Sequence, residues 1–292
     1  MEEIIYLNGS LVPRSQAMVS VFDYGFLYGY GLFETMRAYH GKLFLLERHI
    51  KRLLGAVEII GLGQSLTGID LVKACLETLR ANGLEEARLR LTVTGGEADS
   101  LPWVRCDDKP TVVVTARSFT PFSKEKYAEG FKAIVASQRR CRQSLVSRIK
   151  STSYLVSVLT RMEAKEAGMD EALLLNDRGL VVEGSGSNVF FVKSSRLVTP
   201  SLESGILPGI TRQVVIELAH KAGIDVIEGD VNLADLEKAD EAFMTNVMIE
   251  LMPLVAVRDE RGKTFIIGSG RPSKITRQLM SAYGEMVGIE TG

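Results

Sequence analysis

The chain has 292 residues, 46% hydrophobic and 24% charged, and its 35 basic and 36 acidic side chains leave a formal net charge of -1. It is long enough for two separately cored domains of ordinary globular composition, and no apolar run reaches the roughly 18 residues that a membrane-spanning helix needs. With no long basic run it lacks the footprint of a nucleic-acid binder, so the expected partner is a small molecule.

The N-terminal MEEIIYLNGS carries acids where a secretory signal has a basic start, and a cytoplasmic protein is expected. EIIYLNGSLV reads as a hairpin turning at Asn8-Gly9. After a glycine-rich stretch, GLFETMRAY reads as a strand of alternating inward and outward residues, turned back into KLFLL at His40-Gly41. The apolar stripe Leu46, Ile50, Leu53, Leu54 and Val57 predicts a helix over 46–60, and a second helix runs over 69–82 to the stop signal Asn82-Gly83. Strands ARLRLTVT and TVVVTAR follow, the first with Arg88 and Arg90 on one face.

Pro121 and its polar neighbours interrupt the periodicity, so the expected division is a smaller N-terminal α/β domain at 1–118, a linker at 119–124 and a larger C-terminal domain at 125–292. Beyond the linker come strand FKAIVAS, a helix over 154–167 and a hairpin EALLLNDRGLVVEGSGSNVFFV turning at 177–179. Then follow a helix over 211–222, strand DVIE, short helix LADLEKA, strands EAFMT and LVAV, and a final helix after Pro272. The mixture predicts an α/β (α+β) fold.

Absences narrow the chemistry. The three cysteines, Cys75, Cys106 and Cys141, are odd in number and widely spaced, and read as reduced, packed thiols. The three histidines stand at no metal-ligand spacing, so no metal site is expected, and His49 reads as a packed or half-exposed structural residue. No GxSxG elbow, Walker loop or GxGxxG fingerprint stands at a strand-to-helix junction.

Three features remain. GILPGITRQVV sets Ile210 and Thr211 at a helix start whose free N–H groups suit a phosphate, the alternative being a helix capped by its own threonine. Glu183 ends an apolar strand, where a carboxylate needs a cationic or N–H partner unless it points to water at a hairpin edge. Lys150, in SRIKSTSYL, is by itself an ordinary surface lysine. Together they supply an amine, a partner for a ring nitrogen and an anion cup, the three holds required on pyridoxal phosphate.

SRIKSTSYL, EGSGSNVFFV and GILPGITR, in that order and preceded by FDYGFLYGYGLFETMRAYHGKLFLLERHIKRL, make the chain similar to the class IV, fold type IV pyridoxal-phosphate enzymes. That group contains branched-chain aminotransferases, D-amino acid aminotransferases and 4-amino-4-deoxychorismate lyases, and the resemblance spans almost the whole chain. It implies a two-domain fold with mixed sheets, with pyridoxal 5'-phosphate between the domains and the larger domain binding it. Lys150 would hold the cofactor as an internal aldimine and shuttle the substrate proton, and Glu183 would bond the pyridine nitrogen. Arg52, Ile210 and Thr211 would hold the phosphate, and Tyr154 would approach the cofactor's phenolic oxygen, unless Arg52 is a solvated helix-face residue and Tyr154 a packed one. Thr245, Asn246 and Val247 would form a turn near phosphate and substrate carboxylate. Phe33 and Arg90 would face substrate, Arg90 being alternatively an outer-face strand arginine, and a homodimer is expected.

Departures separate the members. The chain has TNVMIE where branched-chain enzymes resemble GTAAE, and its tyrosine lies four rather than five residues past the lysine. Thr94-Gly95-Gly96 lacks the arginine of a D-amino acid enzyme's TRG. The four-residue spacing and Thr245-Asn246 resemble the lyases, whereas Arg90 with Glu34 resembles the aminotransferases. The reading is an aminotransferase moving an amino group between a branched-chain-like amino acid and a 2-oxo acid. The alternative is a lyase releasing pyruvate and 4-aminobenzoate, and a D-amino acid enzyme ranks after both.

Overall fold

The computed structural model describes residues 2–62, 66–97 and 109–292. Its chain forms two compact units: one holds the residues up to Thr120 with Ile149–Ser153 and Val287–Gly292, the other Pro121–Arg148 and Tyr154–Met286. Lys150 therefore belongs to the first unit although it follows the second unit's opening segment in the chain.

In the first unit β1 (Ile4–Leu7) and β2 (Ser10–Pro13) form the Asn8-Gly9 hairpin. Both turn residues have positive φ, 47° and 97°, as a two-residue hairpin loop of this hand requires. Helix α1 (Tyr24–Tyr28), β3 (Gly31–Tyr39), β4 (Lys42–Leu43), α2 (Leu46–Ile59), α3 (Leu71–Ala81), β5 (Ala87–Thr94) and β6 (Thr111–Ser118) follow. The strands make one antiparallel sheet ordered β2-β1-β6-β5-β3-β4. Leu32, Met36, Leu89, Leu91 and Val114 on one face bury Ile50, Leu53 and Val57 of α2 and Cys75 and Leu79 of α3, each large apolar side chain contributing about 2 kcal/mol. The expected in-and-out alternation of β3 is not observed, since every residue but Thr35 is buried. The second face is covered too: Arg90 lies over the Phe33 ring, and Arg37 stacks on Tyr39 and Phe119.

The second unit contains α4 (Lys124–Glu129), β7 (Phe131–Arg140), α5 (Leu145–Arg148), α6 (Leu155–Glu166), β8 (Glu171–Asn176), β9 (Val181–Gly184), β10 (Asn188–Lys193) and β11 (Arg196–Pro200). After these come α7 (Ile210–Lys221), β12 (Val226–Gly229), α8 (Leu233–Glu237), β13 (Glu241–Asn246), β14 (Glu250–Arg258), β15 (Thr264–Ile266) and α9 (Lys274–Thr291), of which the residues from Val287 on belong to the first unit. The second unit's strand path is β12-β11-β10-β13-β14-β7-β8-β9, with β15 beside β14. Because β9 also pairs with β10, the strands from β10 round to β9 close a ring. The β14–β7, β7–β8 and β11–β12 pairs are parallel and the rest antiparallel, so the sheet is mixed.

Cys75 is buried, and burial pushes its thiol up to about 12. Cys141 is exposed, which corrects the expectation of a packed thiol, because β7 has ended before it. Cys106 lies outside the described residues.

Candidate active site

The hydroxyl residues around Lys150 seat its backbone. Thr152 Oγ1 and Ser153 Oγ donate to the Gly29 carbonyl at 2.8 and 3.2 Å, and Thr152 N donates to Gly31 O at 2.9 Å. Phe33 N donates to Lys150 O at 2.9 Å, and Ser151 bridges Leu32 antiparallel, so the segment adds a short strand to the β3 edge. Gly29 supplies the turn with φ of 66°, and a Cβ there would stand 2.7 Å from Ser153 Oγ. The turn is anchored by buried Asp23, which accepts Gly25 N, Thr94 Oγ1 and Thr111 Oγ1 at 2.7, 2.8 and 2.6 Å.

This seat aims the half-buried Lys150 at Phe33, with Nζ 4.6 Å from the ring centroid. The Arg90 guanidinium carbon lies 3.7 Å from the same centroid, held by an Nε–Thr92 Oγ1 bond of 3.2 Å. Register explains the meeting: Phe33 faces Thr92 and Thr35 faces Arg90, so both side chains share one sheet face. Lys150, Phe33 and Arg90, separate in sequence, are thus brought together.

Glu34 points to the opposite, core face. It is fully buried, and Arg52 grips it through Nε–Oε1 and Nη2–Oε2 bonds of 2.7 and 2.6 Å. Burial alone would raise its carboxyl, but the Arg52 charge and the bonds from His49 and Arg52 outweigh it and hold it at about 2. His49 Nδ1 lies 2.8 Å from Glu34 Oε2, and burial lowers the imidazole from its ordinary value. The packed reading of His49 stands, whereas Arg52 is no freely solvated arginine.

In the second unit Glu183 is 3% exposed, so the water-facing alternative fails. Its Oε2 accepts Leu207 N at 3.1 Å, and its Oε1 forms an ion pair with Arg140 Nη2 at 2.7 Å. Asn188, directly opposite Glu183, donates to Leu207 O at 3.0 Å, so the two strands hold both ends of the loop residue before α7. Thr245 lies opposite Asn188 in the same row, with a buried hydroxyl that meets no protein partner among the described residues. The adjoining Gly209 cannot carry a side chain, since a Cβ would lie 2.0 Å from Asn188 Oδ1. Gly209 is therefore a bare N-cap, and α7, which begins with Ile210 and Thr211, has no side-chain cap bond among the described residues. The self-capping alternative for Thr211 is not observed.

Tyr154 sits at the α6 N-cap, with its hydroxyl 3.4 Å from Ser185 O. Burial pushes its phenol up, and the charges of Glu183 and Glu171 add to the rise. The residue as a whole is 37% exposed, so the inward turn belongs to the hydroxyl end. Asn246 shapes its own hairpin: Oδ1 accepts Met248 N and Ile249 N at 2.8 and 2.9 Å, and Nδ2 donates to Gly186 O at 2.9 Å. Val247 is half-buried in the same turn. Sequence reasoning passed over Arg140, Asn188 and Glu171. The available signal was an acid opening a strand, EALLLN, that is buried throughout.

A model of the family described as Amino-transferase class IV matches residues 31–257. A putative branched-chain-amino-acid aminotransferase of Methanocaldococcus jannaschii is 42% identical over 283 residues, covering 97% of this chain and 96% of that protein. The aminodeoxychorismate lyase of Bacillus subtilis is 36% identical over 258 residues, covering 88% and 87%. Among solved structures, the branched-chain aminotransferase of Thermoproteus uzoniensis with norvaline superposes with a TM-score of 0.87 at 34% identity, covering 99% of this chain and 96% of that one.

Proposed function

The chain belongs to the class IV aminotransferase family, a family of pyridoxal-phosphate-dependent enzymes, and we propose that it moves the amino group of a branched-chain-like amino acid onto a 2-oxo acid. The observation that carries this reading is the convergence of Lys150 and Arg90 on Phe33. An amine able to take a proton, a guanidinium suited to a carboxylate and an aromatic wall suited to an apolar side chain share one sheet face.

The donor set fits pyridoxal phosphate. The buried Thr245 hydroxyl lacks a protein partner among the described residues, and the start of α7 is uncapped beside it in the fold. In this reading Lys150 is the attachment point, and its Nζ moves the proton at the substrate Cα. Glu183, held by Leu207 N and Arg140, would accept the ring N–H. The first amides of α7 with Thr211, together with Arg52, take the phosphate. Tyr154 would bond the phenolic oxygen, and the Thr245–Val247 turn would serve the phosphate and the substrate carboxylate. When bound, the cofactor supplies the electron sink that makes the Cα proton removable.

The homodimer is part of the same reading. On α6, Leu155, Val158, Leu159 and Met162 form a helical stripe exposed by 68, 46, 44 and 52%. Met18, Phe22 and Phe26 are exposed by 78, 61 and 72%. An exposed apolar stripe such as that of α6 marks a protein contact, and a second copy would supply the matching face.

The lyase reading is favoured by the four-residue spacing of Lys150 and Tyr154 and by the Thr245-Asn246 turn. Incubating the cofactor-loaded enzyme separately with branched-chain L-amino acids, D-alanine and aminodeoxychorismate distinguishes the two. Bleaching of the visible band by the branched-chain substrates, followed by its return with a 2-oxo acid, is expected. Reaction with aminodeoxychorismate alone, releasing pyruvate, overturns the aminotransferase reading.

A further inference from the structure

We propose that Glu171 is a positioning residue for the cofactor, acting through the Ser185–Ser187 turn on Tyr154 and Asn246; this rests on pyridoxal phosphate binding as proposed above. Glu171 opens β8 and is 1% exposed, yet no step of the reaction calls on it as an acid or a base. A buried carboxylate is stable only when its oxygens are filled by donors. Here Ser185 Oγ donates to Oε1, which also accepts Ala172 N at 2.9 Å, and Oε2 accepts Arg161 Nη1 at 2.7 Å and Ser187 Oγ at 3.3 Å.

Two of those donors belong to the turn that follows Glu183, and the backbone of that turn makes the contacts of interest. Ser185 O takes the Tyr154 hydroxyl, and Gly186 O takes Asn246 Nδ2. The turn is closed by Gly184 N donating to Ser187 O at 2.6 Å. It has little freedom to shift: a Cβ on Gly184 would meet Ser187 Oγ at 2.4 Å and Met244 Cε at 2.5 Å, and one on Gly186 would meet the Tyr154 hydroxyl at 3.1 Å. The serine hydroxyls thus pin one side of the turn to Glu171, and its carbonyls set two proposed cofactor residues on the other.

Glu241 supplies the contrast. It too is a buried carboxylate, but it accepts Ile275 N and Thr276 N at 3.0 and 2.8 Å, at the start of α9. A carboxylate that only staples the fold should behave as Glu241 does.

The test measures the dissociation constant of pyridoxal phosphate by visible absorbance, with thermal stability in parallel, for wild type, Glu171→Gln, Ser185→Ala, the double variant and Glu241→Gln. The expected result is that Glu171→Gln and Ser185→Ala each weaken cofactor binding roughly tenfold or more, equivalent to about 1.4 kcal/mol. The double variant should lose no more than the worse single one, because both act through one turn. Glu241→Gln should lower the melting temperature and leave the dissociation constant unmoved. If Glu171→Gln does not fold, Ser185→Ala with Ser187→Ala carries the same expectation, since they remove the two donors and leave the carboxylate. Unchanged cofactor affinity in the turn variants, with a melting temperature lowered as in Glu241→Gln, overturns the proposal. A wild type that binds no pyridoxal phosphate overturns the functional reading beneath it instead.

Discussion

Arg52 and Glu34 are joined by a bidentate pair, Nε to Oε1 and Nη2 to Oε2, and His49 Nδ1 meets the same Oε2. An ionised Glu34 only accepts, so Nδ1 carries the hydrogen of that contact. Glu34 titrates at about 2 against an ordinary value of 4.5, so the unfolded chain binds its proton at higher pH than the folded one. The stability this group supplies is present above about 4.5 and is lost as pH falls through about 2; it amounts to about 3 kcal/mol. His49, lowered by burial, acts with the same sign at higher pH. In urea unfolding, wild type should be the more stable at neutral pH, and its advantage over Glu34→Gln should shrink as pH drops from 4.5 toward 2. A pH-independent gap would contradict this.

The seat of Lys150 is tested at Gly29 and Thr152. Gly29→Ala forces a left-handed φ of 66° on a side chain and drives its Cβ toward Ser153 Oγ, so a loss of about 1 kcal/mol or more is expected. Thr152→Val removes one hydrogen bond to the Gly29 carbonyl at nearly constant volume, at about 1 kcal/mol. Both should slow turnover more than they raise KM, because they displace the amine. Unaltered kcat in both variants would show that the seat does not control Lys150.

Glu183 has a structural share that cofactor chemistry does not cover. Glu183→Ala strands the Leu207 N–H and leaves Arg140, only 18% exposed, without its partner, so about 3 kcal/mol of stability should be lost even without cofactor. Glu183→Gln should fold better than Glu183→Ala and yet lose most of its transamination rate. Calorimetry of the cofactor-free proteins gives the first comparison and stopped-flow half-reactions give the second. Equal stability of wild type and Glu183→Ala would refute the Leu207 and Arg140 assignment.

Thiol reactivity should divide by burial. Cys75, held at about 12 by its apolar surroundings, should resist iodoacetamide in the folded protein, whereas exposed Cys141 should react. Peptide mapping of the labelled protein reads the two sites separately, and labelling of Cys75 at the rate of Cys141 would count against the packing around α3.

The exposed stripe on α6 predicts the assembly. Leu159→Glu in the middle of Leu155, Val158 and Met162 should shift sedimentation from dimer to monomer with little change in the far-ultraviolet circular dichroism. A variant that sediments like wild type would place the contact elsewhere.

The sequence alone determined what depends on neighbours in the chain. Period 3.6 in LERHIKRLLGAVEI marks α2, Asn8-Gly9 marks a hairpin, and SRIKSTSYL, EGSGSNVFFV and GILPGITR carry the family resemblance. It left open whether Glu183 faces water, whether Thr211 caps its own helix and whether Arg52 is solvated, because each answer depends on groups distant in sequence. Leu207 answers for Glu183, Asn188 against Gly209 for the bare cap, and Glu34 for Arg52. Nothing in the periodicity marks 149–153 as part of the first unit, since an extended segment of hydroxyl residues has no amphipathic signature; its hydrogen bonds to Gly29, Gly31 and Phe33 place it there. The same limit hid Glu171 and the burial of both faces of β3. A charge can be buried only where donors converge, and convergence is decided by strand register in the folded chain rather than by spacing along it.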